Sequence, residues 1–303
     1  MRVLVTGATG LIGTGVCDAL LARGDEVVGL SRDPEKARGT NPTVTWHAWN
    51  ASEERPPPAA FEGVDGVVNL VGEQINQRWN EEVKRKIRDS RGRATKNLVD
   101  AIAAAEPRPR VLVSGSAVGI YGDRGDALLD ESKTPAEGFL VDVVREWEAA
   151  ALEAEKSGLR VALIRTGLVL DPDGGLVKQL MLPFKMGVGG PLGSGKQYMP
   201  WIHRDDEIGL LLFALDTEAA SGVLNGAAPN PVSNKDFSKA FGKALHRPAF
   251  MPAPKFAVAA LRGSEMAAHT VESQRVVPRR ALDLGYVFRF PEIGTAMEDL
   301  VGR

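Results

Sequence analysis

The sequence predicts an α/β fold, a doubly wound parallel sheet with a smaller C-terminal lobe. Three observations predict it. The first half of the 303-residue chain alternates short apolar runs with helical stretches, the pattern of βαβ units. A glycine triplet, Thr6-Gly7-Ala8-Thr9-Gly10-Leu11-Ile12-Gly13, stands where the first apolar run passes into the first helical stretch. After Leu170 the texture turns Gly/Pro-rich, DPDGG then GVGGPLGSGK, which marks a departure from the sheet.

Element by element, the first strand is Arg2 to Thr6 and the first helix Ile12 to Arg23. Strands Glu26 to Ser31, Thr43 to Trp49 and Val64 to Val71 follow, then a helix from Asn80 to Glu106 and a strand from Arg110 to Ser114. GFLVDVVREWEAAA opens a helix from Gly138 to Ser157, with Leu140, Val144, Trp147 and Ala151 on one face. A sixth strand runs from Arg160 to Arg165. Right-handed crossovers between six such strands make a doubly wound sheet. A short helical stretch separates the two Gly/Pro-rich segments. HRDDEIGLLLFAL then reads as a helix returning to the sheet, and GVLNGAAP as one more strand. From Asn230 onward come VSNKDFSKAFGKAL, a proline-punctuated FMPAPKF, another helix and the basic stretch RVVPRRAL. The expected division is residues 1–170 with 202–229 as the nucleotide-binding domain, and residues 171–201 with 230–303 as a smaller substrate-binding lobe over the carboxyl ends of the strands.

Apolar residues make up 44% and charged residues 25% of the chain, ordinary values for a soluble globular protein. The net charge of −2 argues against a nucleic-acid surface. One cysteine, Cys17, falls in the first helix, where it reads as a small buried side chain and suits a reducing cytoplasm. The opening RVLVT leaves no basic region or signal-peptide core, and no run reaches the roughly 18 apolar residues of a spanning helix. A soluble cytoplasmic protein is expected, with no membrane partner and no stated oligomeric order. His47, His203, His246 and His269 are far apart, so no metal site is expected, and SGSAVG is not the G-x-S-x-G of a hydrolase.

The glycine triplet has a strand before it and a helix after it. Gly7 permits the tight turn, Gly10 lets backbone approach a pyrophosphate, and Gly13 allows close helix-to-strand packing. This is the fingerprint of a Rossmann-type sheet that binds a dinucleotide, with Thr9, Leu11 and Ile12 beside the ligand. The second strand ends GLSRD, about 20 residues later, where an NAD-binding protein places an acid on the ribose 2′-hydroxyl. Ser31 and Arg32 stand there instead, and a guanidinium fork suits the 2′-phosphate of NADP(H). The alternative is that Arg32 is a solvated surface residue and Asp33 the ribose ligand.

The spacing of Gly7, Gly10 and Gly13 resembles the extended short-chain dehydrogenase/reductases, the group that holds nucleotide-sugar epimerases. VNLVGE, QRWNEEVKRKIRDSR, SGSAVGIYGDRGD, GFLVDVVREWE, IRTGLVLDPDGG, GGPLGSGKQYMPWIHRDD and APNPVSNKDF narrow the resemblance, nearly end to end, to an atypical branch called epimerase family proteins, sometimes described as relatives of cell-division inhibitors. The resemblance implies that Asn69, Leu70, Val71 and Gly72 run under the adenine ribose and pyrophosphate. It implies that Ser114 and Ser116 end the fifth strand, where such enzymes keep the serine that hydrogen-bonds the substrate oxygen. Arg165, Thr166, Gly167 and Leu168 would touch the nicotinamide. Each position also has a plainer account as a capped strand end.

One part of the pattern is missing. Ordinary members use a tyrosine acid/base with a lysine four residues later, which lowers the phenol's pKa and holds the nicotinamide ribose. Here Tyr121 is followed at that spacing by Gly125, Tyr198 by Ile202 and Tyr286 by Phe290, and the helix has Phe139 and Leu140 near the tyrosine's place. Tyr121 is a candidate substitute, against a structural role. His203, against a structural partnership, and Glu73, against a solvated or capping role, are the others, and Asp205 or Asp206 is expected to cap the helix after His203. The glycines and Lys196 of GGPLGSGKQYMPW form either an anion site or a mobile lid. Arg78 and Trp79 either line the cleft or simply pack, and KRKIRD reads as the solvated face of a helix.

Two functions follow. The first is an NADP(H)-dependent oxidoreductase or epimerase-like enzyme acting on a small carbonyl or alcohol, sugar- or nucleotide-linked ones included, in the cleft between the lobes. The second is a catalytically silent NADPH-binding sensor or scaffold.

Overall fold

RVLVT, VLVSGSA and RVALIRT are buried almost throughout, as strands of a parallel sheet between two helix layers must be. The computed structural model describes residues 1–252 and 263–303. Its central sheet has seven parallel strands. They are β1 (Arg2–Thr6), β2 (Glu26–Ser31), β3 (Thr45–Ala48), β4 (Gly66–Asn69), β5 (Val111–Ala117), β6 (Arg160–Thr166) and β7 (Gly222–Gly226), in spatial order β7-β6-β5-β4-β1-β2-β3. The order reverses between β1 and β4, the switch point where such sheets open a crevice.

The described helices are α1 (Leu11–Ala22), α2 (Pro34–Thr40), α3 (Glu81–Asp89), α4 (Gly92–Ala104), α5 (Phe139–Leu152), α6 (Gly175–Lys185), α7 (Arg204–Asp216), α8 (Asn234–Ala244), α9 (Ser264–His269), α10 (Arg279–Asp283) and α11 (Ile293–Gly302). Val16, Cys17 and Leu20 of α1 join Leu210, Leu211 and Ala214 of α7 on one face of the sheet. Leu98 and Ile102 of α4 join Ala151 of α5 on the other. A separate core gathers Leu170, Val177, Phe184, Trp201, Phe237, Phe241 and Met297. Among the described residues no helix is long and apolar enough to cross a membrane.

Several local features differ from expectation. The helix foreseen from Asn80 to Glu106 is two, because the backbone departs from the helix at Arg91 (φ −110°, ψ −69°), just after the Ser90 C-cap, whose Oγ donates to the Ile87 carbonyl at 3.1 Å and accepts from Glu73 N at 2.9 Å. α2 was not foreseen, although Asp33 caps it and Pro34 opens it. The cap of α7 is neither Asp205 nor Asp206 but His203, whose Nδ1 accepts from Asp205 N at 3.1 Å. The two acids hold the C-terminal segment instead. Asp206 accepts from Arg289 N at 2.7 Å and Phe290 N at 2.9 Å, and Asp205 pairs with Arg303 at 2.6 Å. The stretch FMPAPKF and the helix expected after it run into residues 253–262, outside the described residues.

Candidate functional site

Gly7 ends β1 with φ +62°, and a Cβ there would stand 2.6 Å from the Leu70 carbonyl oxygen, so only glycine makes the turn. A Cβ on Gly13 would lie 2.1 Å from the Gly7 oxygen, which ties the third glycine to close packing of α1 on that turn. Gly10 is the N-cap of α1; no side chain caps the helix and no acid occupies its first turn. Its unpaired N–H groups and positive dipole end form an anion cradle, with Thr9 and Gly10 exposed and Leu11 and Ile12 half-buried beside it. From below, the Thr6 hydroxyl accepts from Leu70 N at 3.0 Å and Val71 N at 3.2 Å, pressing the segment after β4 against the glycine turn. Gly72 follows, and a Cβ there would meet the Arg91 guanidinium at 3.2 Å. Burial lowers Arg91 to about 10, against the attraction of Glu73, and its guanidinium lies 5.3 Å from the Trp147 ring.

At the end of β2 the two readings of GLSRD separate. Asp33 Oδ1 accepts from Lys36 N at 3.0 Å, turning the carboxylate back into α2. Ser31 Oγ lies 3.1 Å from both Asp33 N and Asp33 O. Arg32 is exposed, with no ion pair or hydrogen bond among the described residues. The acid is occupied and the cation is free. The cradle and this cation together fit a dinucleotide carrying a 2′-phosphate.

The next rows of the sheet edge are closed by buried polar networks. Thr6 pairs with Asn69 in register and Asn69 with Ser114. Thr6 Oγ1 donates to Asn69 Oδ1 at 2.7 Å, and Asn69 Nδ2 donates to Thr95 Oγ1 at 3.0 Å and Ser114 Oγ at 3.1 Å. One row on, Ser116 lies beside Arg165 and Arg165 beside Asn225. Ser116 Oγ donates to Glu148 Oε1 at 2.6 Å. Arg165 grips the same carboxylate in a fork, Nε to Oε1 at 2.8 Å and Nη2 to Oε2 at 2.9 Å. Its remaining nitrogen donates to Tyr121 Oη at 3.0 Å, and Tyr121 donates to Asn225 Oδ1 at 2.8 Å. Burial works against the Arg165 charge, but Glu148 outweighs it and the pKa rises. Tyr121 is fully buried, which raises its pKa despite Arg165 and Asn225.

Beyond β6, Gly167 N donates to the Gly226 carbonyl at 2.8 Å, and a Cβ on Gly167 would sit 2.0 Å from the Pro200 oxygen. Leu168 is exposed at this crossing. Thr166 Oγ1 donates to Glu207 Oε1 at 2.6 Å. Glu207 is fully buried and its Oε2 has no hydrogen-bond partner among the described residues, so burial pushes its pKa up to about 7 against the Thr166 bond.

The rim opposite is aromatic. Phe139 and Trp79 meet edge to face at 5.5 Å, and Trp79 lies 5.3 Å from the His269 ring. His269 Nδ1 is 2.6 Å from Glu272 Oε1. Arg78 and Trp79 line a cavity of about 210 Å³ with Gly263, Ser264, Glu265 and Met266. KRKIRD is mostly a solvated, ion-paired face, with Lys86 on Glu82 and Arg85 on Asp89, while Lys84 reaches across to Glu265 at 2.9 Å. The loop holding Lys196 is docked on α8: Leu192 N donates to Asn234 Oδ1 at 2.7 Å and Asn234 N to the Gln197 carbonyl at 2.8 Å. Lys196 itself is exposed. His203 is fully buried, and desolvation lowers its pKa. Glu73 Oε1 accepts from Gln77 Nε2 at 3.3 Å. Among the described residues no group of acids, histidines or cysteines could hold a metal ion.

Residues 3–225 match the model of the NAD dependent epimerase/dehydratase family. The chain belongs to that family. Residues 253–300 also match a domain of unknown function. The chloroplastic SDR39U1 homolog of Arabidopsis thaliana, an epimerase family protein, is 41% identical over 99% of this chain and 87% of its own length. Human SDR39U1 is 39% identical over 99% of this chain and 100% of its own. The crystal structure of the human protein with NADPH superimposes with a TM-score of 0.89 at 38% identity, covering all of both chains. UDP-glucuronic acid 4-epimerase from Bacillus cereus, crystallised with UDP-glucuronic acid and NAD, reaches a TM-score of 0.79 at 18% identity over 100% of this chain and 99% of its own, a likeness of fold alone.

In this family member several residues matter that the sequence alone did not single out. Glu148 is the hub of the buried network, and the signal available was a lone acid on the apolar face of α5, four residues after Val144. Thr6 carried no more than its place before Gly7. Glu207 stood beside the two acids expected to cap a helix, with nothing to set it apart, and His269 and Glu272 are two common residues three apart.

Proposed function

We propose that this chain is an NADP(H)-dependent oxidoreductase or epimerase-like enzyme acting on a small carbonyl or alcohol, sugar- or nucleotide-linked substrates included. Its cleft lies between a nucleotide-binding domain of residues 1–170 with 202–229 and a smaller lobe of residues 171–201 with 230–303. The carrying observation is the pair of neighbours at the end of β2: Asp33 is spent on capping α2, while Arg32 is exposed and unpaired among the described residues. The human relative crystallised with NADPH supports the same coenzyme.

In this proposal Gly7, Thr9, Gly10, Leu11 and Ile12 receive the pyrophosphate, Ser31 and Arg32 the 2′-phosphate, and Leu70, Val71 and Gly72 the adenine-side ribose. Asn69 and Ser114 hold the edge of the sheet to which these segments attach. Arg165 orders β5, β6 and β7 through Glu148 and Tyr121, and Gly167 and Leu168 face the nicotinamide. When bound, the coenzyme supplies or takes up a hydride at its nicotinamide carbon. Ser116 polarises the substrate oxygen once its hydroxyl is released from Glu148. The single cysteine, buried and pushed up to about 12, is inert and accords with a cytoplasmic home.

Parallel titrations with NADPH and NADH, followed by tryptophan fluorescence, test this. Wild-type protein should prefer NADPH by roughly tenfold or more, and Arg32→Ala should abolish the preference while leaving NADH binding unchanged. Failure to bind either coenzyme refutes the proposal. One observation favours a second reading, a catalytically silent NADPH sensor: both candidate hydroxyls, Ser116 and Tyr121, are buried and already bonded. Transfer of deuterium from 4-deuterated NADPH to any carbonyl compound would dismiss it.

A further inference from the structure

An enzyme of this kind has to deliver a proton to, or remove one from, the substrate oxygen, and α5 has no tyrosine or lysine to do so. A described titratable pair stands on the aromatic rim that reaches the start of α5. His269 ends α9, and its Nδ1 lies 2.6 Å from a Glu272 carboxylate oxygen. Both side chains are partly open to solvent, at 28% and 25% of full exposure, so they can exchange protons. Nε2 of the same ring has no partner among the described residues.

Position rather than composition makes this pair notable. The His269 ring packs on Trp79, and Trp79 packs on Phe139, the first residue of α5 and a neighbour of the place where the family's tyrosine stands. The Lys84–Glu265 ion pair bolts α9 across the same rim from α3. Beside the pair is the cavity of about 210 Å³ lined by Arg78, Trp79 and residues 263–266. At about 30 Å³ per water molecule, that is room for a small carbonyl compound.

We propose that His269 is the proton-transfer group of this enzyme and that Glu272 is its positioning partner; the proposal rests on the NADP(H)-dependent function above. Glu272 accepts from Nδ1–H, which leaves Nε2 as the working nitrogen, the division of labour of an imidazole oriented by a carboxylate. In the reducing direction, Nε2–H of the imidazolium donates its proton to the carbonyl oxygen while the carbonyl carbon receives hydride from reduced nicotinamide. The C=O double bond becomes a C–H and an O–H bond, the coenzyme is oxidised by two electrons, and neutral imidazole is reprotonated from solvent. In the oxidising direction Nε2 takes the hydroxyl proton. Among the described residues the charged groups around the ring are Glu272 and Glu265 on its own segment, Arg78 beside Trp79, and Lys84 and Arg88 over the Phe139 ring. Trp79 and Phe139 form an apolar wall beside the ring, while its exposed side is open to the solvent that reprotonates it.

The test combines a spectroscopic and a kinetic arm on the full-length protein with saturating NADPH. In ¹⁵N NMR at high pH, the neutral His269 ring should be held as the Nδ1–H tautomer and should relax toward the Nε2–H form, preferred by free imidazole side chains, in Glu272→Gln. With 9,10-phenanthrenequinone as the carbonyl probe, His269→Gln should lower kcat by roughly 10² to 10⁴-fold and remove the basic limb of the pH–rate profile, with NADPH affinity unchanged. Glu272→Gln should lower kcat less and shift that limb. A wild-type ring with the free-solution tautomer mixture overturns the dyad, as does quinone reduction by His269→Gln with wild-type kcat and pH profile. If the quinone is not reduced at all, the tautomer measurement decides alone. Loss of NADPH binding in the wild-type protein overturns the underlying function instead, and the fluorescence titration identifies that case separately.

Discussion

Replacing Glu207 with glutamine isolates one buried ionisation beside the proposed nicotinamide loop. One carboxyl oxygen accepts from Thr166 and the other has no hydrogen-bond partner among the described residues, so burial moves the pKa from 4.5 to about 7. Below about pH 4.5 the folded and unfolded states both hold the proton, and ionisation of this group costs nothing. As pH rises from there the unfolded chain loses its proton first, so stability falls with pH through the window up to about 7. Above it the penalty levels off at about 3 kcal/mol, at about 1.4 kcal/mol per pH unit between the two pKa values. Glutamine keeps an acceptor for Thr166 and cannot ionise. The stability of Glu207→Gln relative to wild type should therefore climb by about 3 kcal/mol between pH 4.5 and 8. Urea unfolding at half-unit pH steps measures it, with equal m-values required for the comparison. Glu131, whose pKa burial also raises, lies in another part of the fold, titrates in both proteins and cancels in the difference. A difference that stays constant across this range would refute the assignment of a buried, protonatable Glu207.

Other perturbations probe the sheet edge. Glu148→Ala leaves the Arg165 guanidinium buried without its carboxylate and should cost about 3–5 kcal/mol in chemical denaturation, whereas Glu148→Gln should cost less. Tyr121→Phe removes the bonds to Asn225 and Arg165, and should lower stability by about 1–3 kcal/mol while leaving NADPH affinity unchanged in a fluorescence titration. Thr6→Val deprives Leu70 N and Val71 N of their acceptor and should weaken NADPH binding together with stability, because the segment after β4 loses its anchor on the glycine turn.

Much of this molecule is written locally. Short, continuous apolar runs such as RVLVT and VLVSG specify buried strands, and TGATGLIG specifies a strand-to-helix turn, because each depends on the composition and conformational range of adjacent residues. That a cation and not an acid directly follows β2 was legible for the same reason, but that Asp33 turns away to cap α2 was not, because α2 itself was not foreseen. What escaped was a matter of short-range competition, as at Ser90 and Arg91, where a helix that periodicity alone would have continued ends and a second begins, and at His203, which takes the cap position from two acids needed elsewhere.

The order of the strands was implied by the βαβ pattern, but which side chains meet along their carboxyl ends was not. Ser116 and Glu148 are 32 residues apart, Tyr121 and Asn225 are 104 apart, and Lys84 and Glu265 are 181 apart. No local spacing encodes such pairs. The sequence by itself determined the strands of the sheet and most of its helices, the glycine turn and the presence of a cation after β2. Only the tertiary structure decided that Ser116, Glu148, Arg165 and Tyr121 form one buried network and that His269 faces Trp79 across the rim. Those contacts exist because burying the two faces of the sheet returns distant segments to the same edge, where each desolvated polar group must find a partner that sequence distance does not predict.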